Sequence, residues 1–363
     1  MTGQPLLEVE GLQTHFATRA GTLRAVDDVS FSLARGEILG LVGESGSGKS
    51  VTGFSILGLV DPPGRVVAGR VLFDGMDLAS LDDEARRAIR GRRIAMIFQD
   101  PMMTLNPVLR IDTQMIEAVR AHFDVSEAQA LAQARAALVQ VGIAAPDERL
   151  AAYPHQLSGG MRQRVAIAIA LVNKPELIIA DEPTTALDVT IQGQILFEMQ
   201  TLVRESGTAL IWITHDLSVV AGLADQVCVM YAGRIVESGT VGAVLDSPRH
   251  PYTRGLIDSV PAMNVRGRPL SQIPGNTPSP INLPAGCAFR PRCARAIDRC
   301  STMPELAVCT GDDAPDYASE HASESANEQA SKQATEYAIE HANESAAVRV
   351  RCWNPVPHGE AAR

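Results

Sequence analysis

Between Leu6 and about Pro261 the chain alternates short β-branched apolar runs with longer stretches of helical pattern. Ile38-Leu39-Gly40-Leu41-Val42, Leu177 to Ala180 and Ala209 to Thr214 have strand length and are almost wholly apolar, which suits strands covered on both faces. The alternation predicts an α/β domain with a largely parallel sheet. From about Arg266 to Gly286 the pattern changes: Pro269, Pro274, Pro278, Pro280 and Pro284 mark extended backbone and turns. A second, small, loop-rich unit is expected to begin there.

Inside that unit lies a segment dominated by Ala, Ser and Glu. Asp316-Tyr317-Ala318-Ser319-Glu320-His321-Ala322 returns as Glu336-Tyr337-Ala338-Ile339-Glu340-His341-Ala342, and two copies are too few for a solenoid. Glu320, Glu324 and Glu328, then Glu336, Glu340 and Glu344, put like charges on one helical face, which weakens a helix with little apolar surface to dock. Residues 311–347 are therefore expected to be a mostly disordered insertion. An acidic partner-binding tail is the alternative.

The net charge of −10 speaks against a nucleic-acid-binding surface, and about eight of those charges fall between Gly311 and Ala347. The chain has 363 residues and is 45% hydrophobic, enough for one large domain and an appendage. No run approaches the ~18 apolar residues that a membrane span needs; Val165 to Val172 is short and flanked by Arg164 and Asn173. Met1 to Glu10 lacks the basic and apolar regions of a secretion signal, so a soluble cytosolic protein is expected.

Gly43-Glu44-Ser45-Gly46-Ser47-Gly48-Lys49-Ser50 follows an apolar strand pattern and precedes a helix-compatible stretch, the context of a phosphate-binding loop. Its glycines let backbone N–H groups turn onto phosphate, and the following helix offers its positive end. Lys49 is placed to reach the β- and γ-phosphates and the Ser50 hydroxyl to ligate Mg²⁺. At Leu177-Ile178-Ile179-Ala180-Asp181-Glu182 an apolar strand ends in two acids; the first suits Mg²⁺ and the second a water that must be oriented or deprotonated.

Leu157-Ser158-Gly159-Gly160-Met161-Arg162-Gln163-Arg164 closely resembles the LSGGQ signature of ABC-type ATPases. Ser158, Gly159 and Gly160 are expected to open a helix, where a hydroxyl, bare N–H groups and the helix dipole can grip a γ-phosphate. Ile97-Phe98-Gln99-Asp100-Pro101, Ala186-Leu187-Asp188 and Ile213-Thr214-His215-Asp216 resemble the family's Q-loop, D-loop and switch histidine, in the family's order. The resemblance implies a P-loop nucleotide-binding domain over residues 1–261 with a helical subdomain at about 104–172. It implies ATP and Mg²⁺ as cofactors, with Val51 beside the loop among the nucleotide contacts. Gln99 would report the Mg²⁺ and γ-phosphate state, Asp188 would couple two sites across a dimer, and His215 would contact the γ-phosphate. An aromatic stacked on adenine is usual in the family; Phe16 is the candidate, with an ordinary core phenylalanine as the alternative.

Gln99 to Pro107, the Met161 form of the signature and Pro248-Arg249-His250-Pro251-Tyr252-Thr253 narrow the resemblance to ATPase subunits of oligopeptide/dipeptide importers. That branch carries a C-terminal cysteine extension, here 262–310 and 348–363. The spacing lacks paired zinc knuckles, and disulfides would be unusual in the cytosol; four thiolates from a loop-rich region can instead hold a [4Fe–4S] cluster. The resemblance assigns Cys287, Cys293, Cys300 and Cys352 as ligands, with zinc or unligated thiols as alternatives and Cys309 as the rival fourth ligand. Cys228, in the strand-like Gln226 to Tyr231, is expected to be a core thiol.

The implied partners are a second, distinct ATPase subunit, two transmembrane permease subunits and, indirectly, an extracytoplasmic solute-binding protein, with no nucleic acid. The implied place is the cytoplasmic face of the plasma membrane, and the work is ATP-driven uptake of peptides or a related solute. A competing reading is a soluble ABC ATPase acting on nucleic acid or ribosomes. It predicts a basic face, a coiled-coil insertion or tandem ATPase domains, and the sequence has none of these.

Overall fold

The structure, a computed structural model, describes residues 4–185, 187, 189–261, 264, 269–309 and 348–357. The repeat-bearing segment 311–347 and Asp188 lie outside the described residues.

Two sheets organise the chain. Strands β1 (Leu7–Thr18), β2 (Gly21–Leu33), β4 (Gly64–Phe73) and β5 (Met76–Asp77) form an antiparallel sheet in the order β2-β1-β4-β5. The larger sheet contains β3 (Ile38–Val42), β6 (Ile94–Ile97), β7 (Leu177–Asp181), β8 (Ala209–Thr214), β9 (Gln226–Tyr231), β10 (Arg234–Thr240), β11 (Ala307–Cys309) and β12 (Val348–Val350). Its order is β11-β12-β10-β9-β3-β8-β7-β6. The five strands from β9 to β6 run parallel, and the other three are antiparallel additions.

The apolar runs are continuous because both faces of the parallel strands are covered. On one face Ile178, Ala180, Leu210 and Trp212 join a core with Met115, Leu138 and Val165. On the other, Leu177, Ile179, Ile211 and Ile213 pack with Ile56 and with Leu7, Val9 and Phe73 of the antiparallel sheet. Successive strand residues point to opposite faces, so one run serves two cores.

Helix α1 (Lys49–Leu57) follows β3, and α2 (Asp83–Ile89) precedes β6. Between the neighbouring strands β6 and β7 the chain passes through α3 (Pro101–Thr104), α4 (Ile111–Arg120), α5 (Glu127–Gln140), α6 (Pro146–Leu150) and α7 (Gly159–Leu171). Helix α8 (Val189–Ser206) leads to β8, α9 (Leu217–Leu223) to β9, and α10 (Val241–Asp246) and α11 (Pro251–Asp258) follow β10. Among the described residues no helix is long and apolar enough to cross a membrane.

The C-terminal segment has few regular elements between 269 and 306, as its prolines predict, but it is not a body apart. With too few apolar residues for its own core, it is buried against the sheet. β12 pairs with β10 and β11 with β12. Phe289 packs against Tyr231 and Tyr252 with ring centroids 5.3 and 5.4 Å away; burying such a ring stabilises by about 1.5–3 kcal/mol. Arg351 is buried, donating from Nε to Ile235 O at 3.1 Å and from Nη2 to Asp28 Oδ2 at 3.0 Å. Cys309 and Val348 are cross-strand partners.

Candidate functional site

Four neighbouring parallel strands, β3, β8, β7 and β6, end on the same side, and a chemistry-bearing segment follows each within two residues. Clefts at the carboxyl ends of such strands are where α/β proteins bind ligands. After β3, Gly43 to Ser50 turns into α1, whose N-cap is Gly48. Gly48 has φ 104°, and a Cβ there would lie 2.3 Å from Ala25 O, so only glycine lets the loop pass this close to β2. Ser45 and Gly46 are exposed, Ser47 and Lys49 buried, and Val51 half-buried. Lys49 Nζ donates to Gly43 O at 2.8 Å and Glu44 O at 3.0 Å. Burial holds the Lys49 pKa below its ordinary value, opposed by Glu182, Asp181 and Glu44.

Ser50 Oγ donates to Asp181 Oδ1 at 2.9 Å. This joins a hydroxyl from the start of α1 to a carboxylate from the end of β7, an oxygen pair suited to a hard cation. Burial raises the Asp181 pKa, and the Ser50 bond partly offsets it. Glu182 follows with φ 45°, a left-handed conformation that is strained for a non-glycine residue. Its carboxylate accepts from Gln99 Nε2 at 3.2 Å and from Thr185 Oγ1 at 3.0 Å, and His215 Nδ1 lies 3.3 Å from its other oxygen. The Phe98 ring stacks 6.2 Å from Phe54 of α1, tying the segment before Gln99 to the phosphate-loop helix. Lys49, Ser50, Asp181, Glu182, Gln99 and His215 thus form one charged cluster beside a glycine-rich loop, which is what polarising a phosphate and orienting a water require. Thr185 was not singled out by sequence reasoning; its place one turn after Glu182 was the available signal.

The signature stands apart from this cluster. Ser158 caps α7, accepting from the Met161 N–H at 3.3 Å, and Ser158 and Gly159 are exposed. A Cβ on Gly159 would meet nothing within 4 Å, whereas Gly160 faces Leu187 and Ile191. Half-buried Phe16 lies against Gly64, with its ring carbon 2.4 Å from where a Gly64 Cβ would sit. That contact joins β1 to β4 and does not itself place the ring on the loop.

Cys287, Cys293, Cys300 and Cys352 line one small cavity with His250, Arg290 and Arg295. Among the described residues, however, no group of three or more His, Cys, Asp or Glu stands in an arrangement that could hold a metal ion. Burial raises the pKa of Cys287 and Cys293, and that of Cys352 to about 12. Cys309 is outside the cavity lining, and the charges felt by its thiol are those of Arg249 and Glu237. Cys228 is a buried thiol of β9, pushed up to about 12 by burial.

Comparison with known proteins agrees with this geometry. The ABC transporter family profile matches residues 26–185, and the oligopeptide/dipeptide transporter C-terminal region matches residues 236–300. A peptide import ATP-binding protein of Brucella abortus is 51% identical over 320 residues, covering 85% of this chain and 95% of the relative. Oligopeptide transport ATP-binding protein OppD of Escherichia coli is 48% identical over 301 residues, covering 83% and 89%. Among solved structures, the dimeric post-hydrolysis state of the ATP-binding cassette MJ0796 with ADP and Pi matches with a TM-score of 0.60 and 26% identity. It covers 65% of this chain and 98% of that one.

Proposed function

Because this chain belongs to the ABC transporter ATPases, in the oligopeptide/dipeptide importer family, we propose the following reading of its site, its partners and its cysteines. The protein is the ATP-binding and ATP-hydrolysing subunit of a peptide importer and works with membrane permease subunits. The observation that carries the site assignment is the cluster at the strand ends, where Ser50 meets Asp181 and Glu182 is held by Gln99, Thr185 and His215. The other expectation, an ATPase acting on nucleic acid or ribosomes, has no support among these relatives.

Lys49 exchanges the Gly43 and Glu44 carbonyls for the β- and γ-phosphates when ATP enters. Ser50 and Asp181, with Gln99 nearby, would hold Mg²⁺, and that ion would supply charge neutralisation on the phosphates. Glu182 orients the attacking water, and His215 meets the γ-phosphate side of the same carboxylate. Ser158, Gly159 and Gly160 serve the nucleotide of the opposite subunit, which accounts for the exposure of Ser158 and Gly159; Asp188 couples the two sites. Phe16 is the adenine platform, and Val51 lies beside the phosphates. The second ATPase subunit is a distinct chain, the permease partners are two, a solute-binding protein acts indirectly, and the assembly sits at the cytoplasmic face of the membrane. Residues 1–261 form the nucleotide-binding domain, with 104–172 as its helical subdomain.

The test separates binding from chemistry. Glu182→Gln is expected to keep ATP affinity while kcat falls about 10²–10⁴-fold, and Lys49→Ala to lose affinity itself. Full phosphate release by Glu182→Gln would remove the role given to that residue.

Support for an iron–sulfur group comes from the chemistry of the cysteine cavity lining alone, since the described residues stand in no metal-holding arrangement. Its four thiols are accompanied by Arg290 and Arg295, whose charge complements a net-negative thiolate cluster. His250 is fully buried and neutral, its pKa pushed down to about 3 by burial. Its Nδ1 accepts from the Tyr252 N–H at 3.1 Å, so Nε2 carries the proton, and Nε2 has no partner among the described residues; an acceptor in the cavity would satisfy it. We assign Cys287, Cys293, Cys300 and Cys352 to a [4Fe–4S] cluster. Anaerobic purification is expected to give about four irons per chain, lost in Cys352→Ser and kept in Cys309→Ser. Zinc alone, or iron retained by Cys352→Ser, would overturn the assignment.

A further inference from the structure

The phosphate loop is braced by a residue 248 positions further along the chain. Glu44 is the second residue of Gly43–Ser50, and its carboxylate is held by the C-terminal segment. Arg292 Nη1 donates to Glu44 Oε2 at 2.7 Å and Nη2 to Oε1 at 3.0 Å, a fork-to-fork pair. Thr277 Oγ1 donates to the same Oε2 at 2.8 Å. The backbone of Glu44 is held as firmly: its N–H donates to Tyr252 Oη at 2.8 Å, and its carbonyl accepts from Lys49 Nζ at 3.0 Å. One loop residue is therefore tied through its side chain to the extension, through its N–H to α11 and through its C=O to the phosphate-binding lysine.

Arg292 has little freedom to do anything else. Its side chain is only 6% exposed. Its Nε donates to Pro274 O at 2.9 Å, and its guanidinium carbon lies 5.8 Å from the centres of the Tyr231 and Phe289 rings. A carboxylate in a loop that receives a triphosphate is an electrostatic liability, and a guanidinium held in a fixed fork both cancels the charge and fixes where it points. Arg292 is also the chain neighbour of Cys293, whose thiol lines the cysteine cavity, so the extension meets the loop through consecutive residues.

We propose that Arg292 is a positioning residue of the ATP site: it holds the Glu44 carboxylate away from the phosphates and sets the Gly43–Glu44 backbone for ATP and Lys49. The proposal rests on ATP binding at Gly43–Ser50. It goes beyond the ATPase residues in giving the C-terminal extension a direct part in nucleotide binding.

The experiment is a double-mutant cycle on the full chain, read by equilibrium binding of a fluorescent ATP analogue and by steady-state hydrolysis. Arg292→Ala is expected to raise the nucleotide Kd and the KM for ATP about tenfold, with kcat within about twofold, because an uncompensated carboxylate is left beside the phosphates. Adding Glu44→Ala removes that carboxylate and is expected to bring Kd back to within about threefold of wild type. A purely structural arginine would not be rescued by a second truncation. Arg292→Lys keeps the charge without the fork, is expected to give an intermediate Kd, and carries the test alone if Arg292→Ala does not fold. An unchanged Kd in the folded single variants, or a loss that Glu44→Ala does not reverse, overturns the proposal. A wild-type chain that binds no ATP would instead defeat the reading of the ATP site.

Discussion

Glu237 is a carboxylate with no solvent contact, on β10, accepting from the backbone N–H groups of Arg249 at 2.6 Å and His250 at 2.9 Å. Burial pushes its pKa up to about 7 from an ordinary 4.5. The folded chain therefore holds this proton more tightly than the unfolded one, so the stability it contributes is fully present below about pH 4.5 and is lost as pH rises through about 7. His250 next to it titrates with the opposite sign, its folded pKa being depressed, so the comparison must be with a variant that removes only the carboxylate. Relative to Glu237→Gln, the wild type is expected to lose on the order of a few kcal/mol between pH 4.5 and 8, read from urea midpoints at several pH values. Parallel midpoints across that range would show that Glu237 does not titrate on folding. Nothing in the local sequence around Glu237 marks it as buried, because its partners are main-chain groups of a turn after the next helix. Glu182 differs: an acid pair closing an apolar strand announces itself, although its left-handed backbone and the Thr185 bond do not.

At the scale of elements, the local signals were dependable where one segment sufficed. Ile38–Val42 and Ala209–Thr214 are strands because their runs are apolar, and Ser158 opens α7 because its hydroxyl satisfies a free helix N–H. The antiparallel sheet of β1, β2, β4 and β5 leaves no clean alternation in the sequence, since its strands are interrupted by register shifts at Val9 to Gln13 and bury the polar Thr14 and Asp27. The C-terminal loops depend on close backbone approach instead of pattern. Gly286 has φ 74°, and a Cβ there would lie 2.3 Å from Ser301 C, beside the Cys287 N–H to Cys300 O bond of 3.0 Å. Gly286→Ala is expected to cost about 1–3 kcal/mol or more and to expose the 285–301 loop, measured by limited proteolysis and the thermal midpoint. Unchanged cleavage would mean that the loop relaxes without cost.

At the scale of the whole molecule, the strand-end cluster gathers the candidate catalytic residues, and Ser158 and Gly159 of the signature are exposed. A Cβ on Gly159 would meet nothing within 4 Å among the described residues, while the ABC relative MJ0796 is a dimer in its post-hydrolysis state. If the signature serves a facing subunit, Ser158→Arg is expected to leave ATP affinity within about twofold and reduce hydrolysis by the assembled transporter about 10²-fold or more. Nucleotide binding and phosphate release measured on the same preparation check this. Unimpaired turnover would exclude a role for Ser158 in trans.

The sequence by itself determined the family and the candidate chemistry. The phosphate loop, the acid pair, the signature and the ordered Gln99 and His215 are short segments whose residue types and spacing point to nucleotide chemistry, so they are readable without coordinates. It also determined the parallel core, because strands covered on both faces must be apolar throughout. Only the tertiary structure decided that the cysteine segment is part of the main sheet, that Cys352 and not Cys309 shares a cavity with Cys287, Cys293 and Cys300, and that Arg292 grips Glu44. Those relations join residues far apart in the chain, and what brings them together is burial: a loop-rich segment without its own core must spend its few aromatic and charged groups on the surface that covers it.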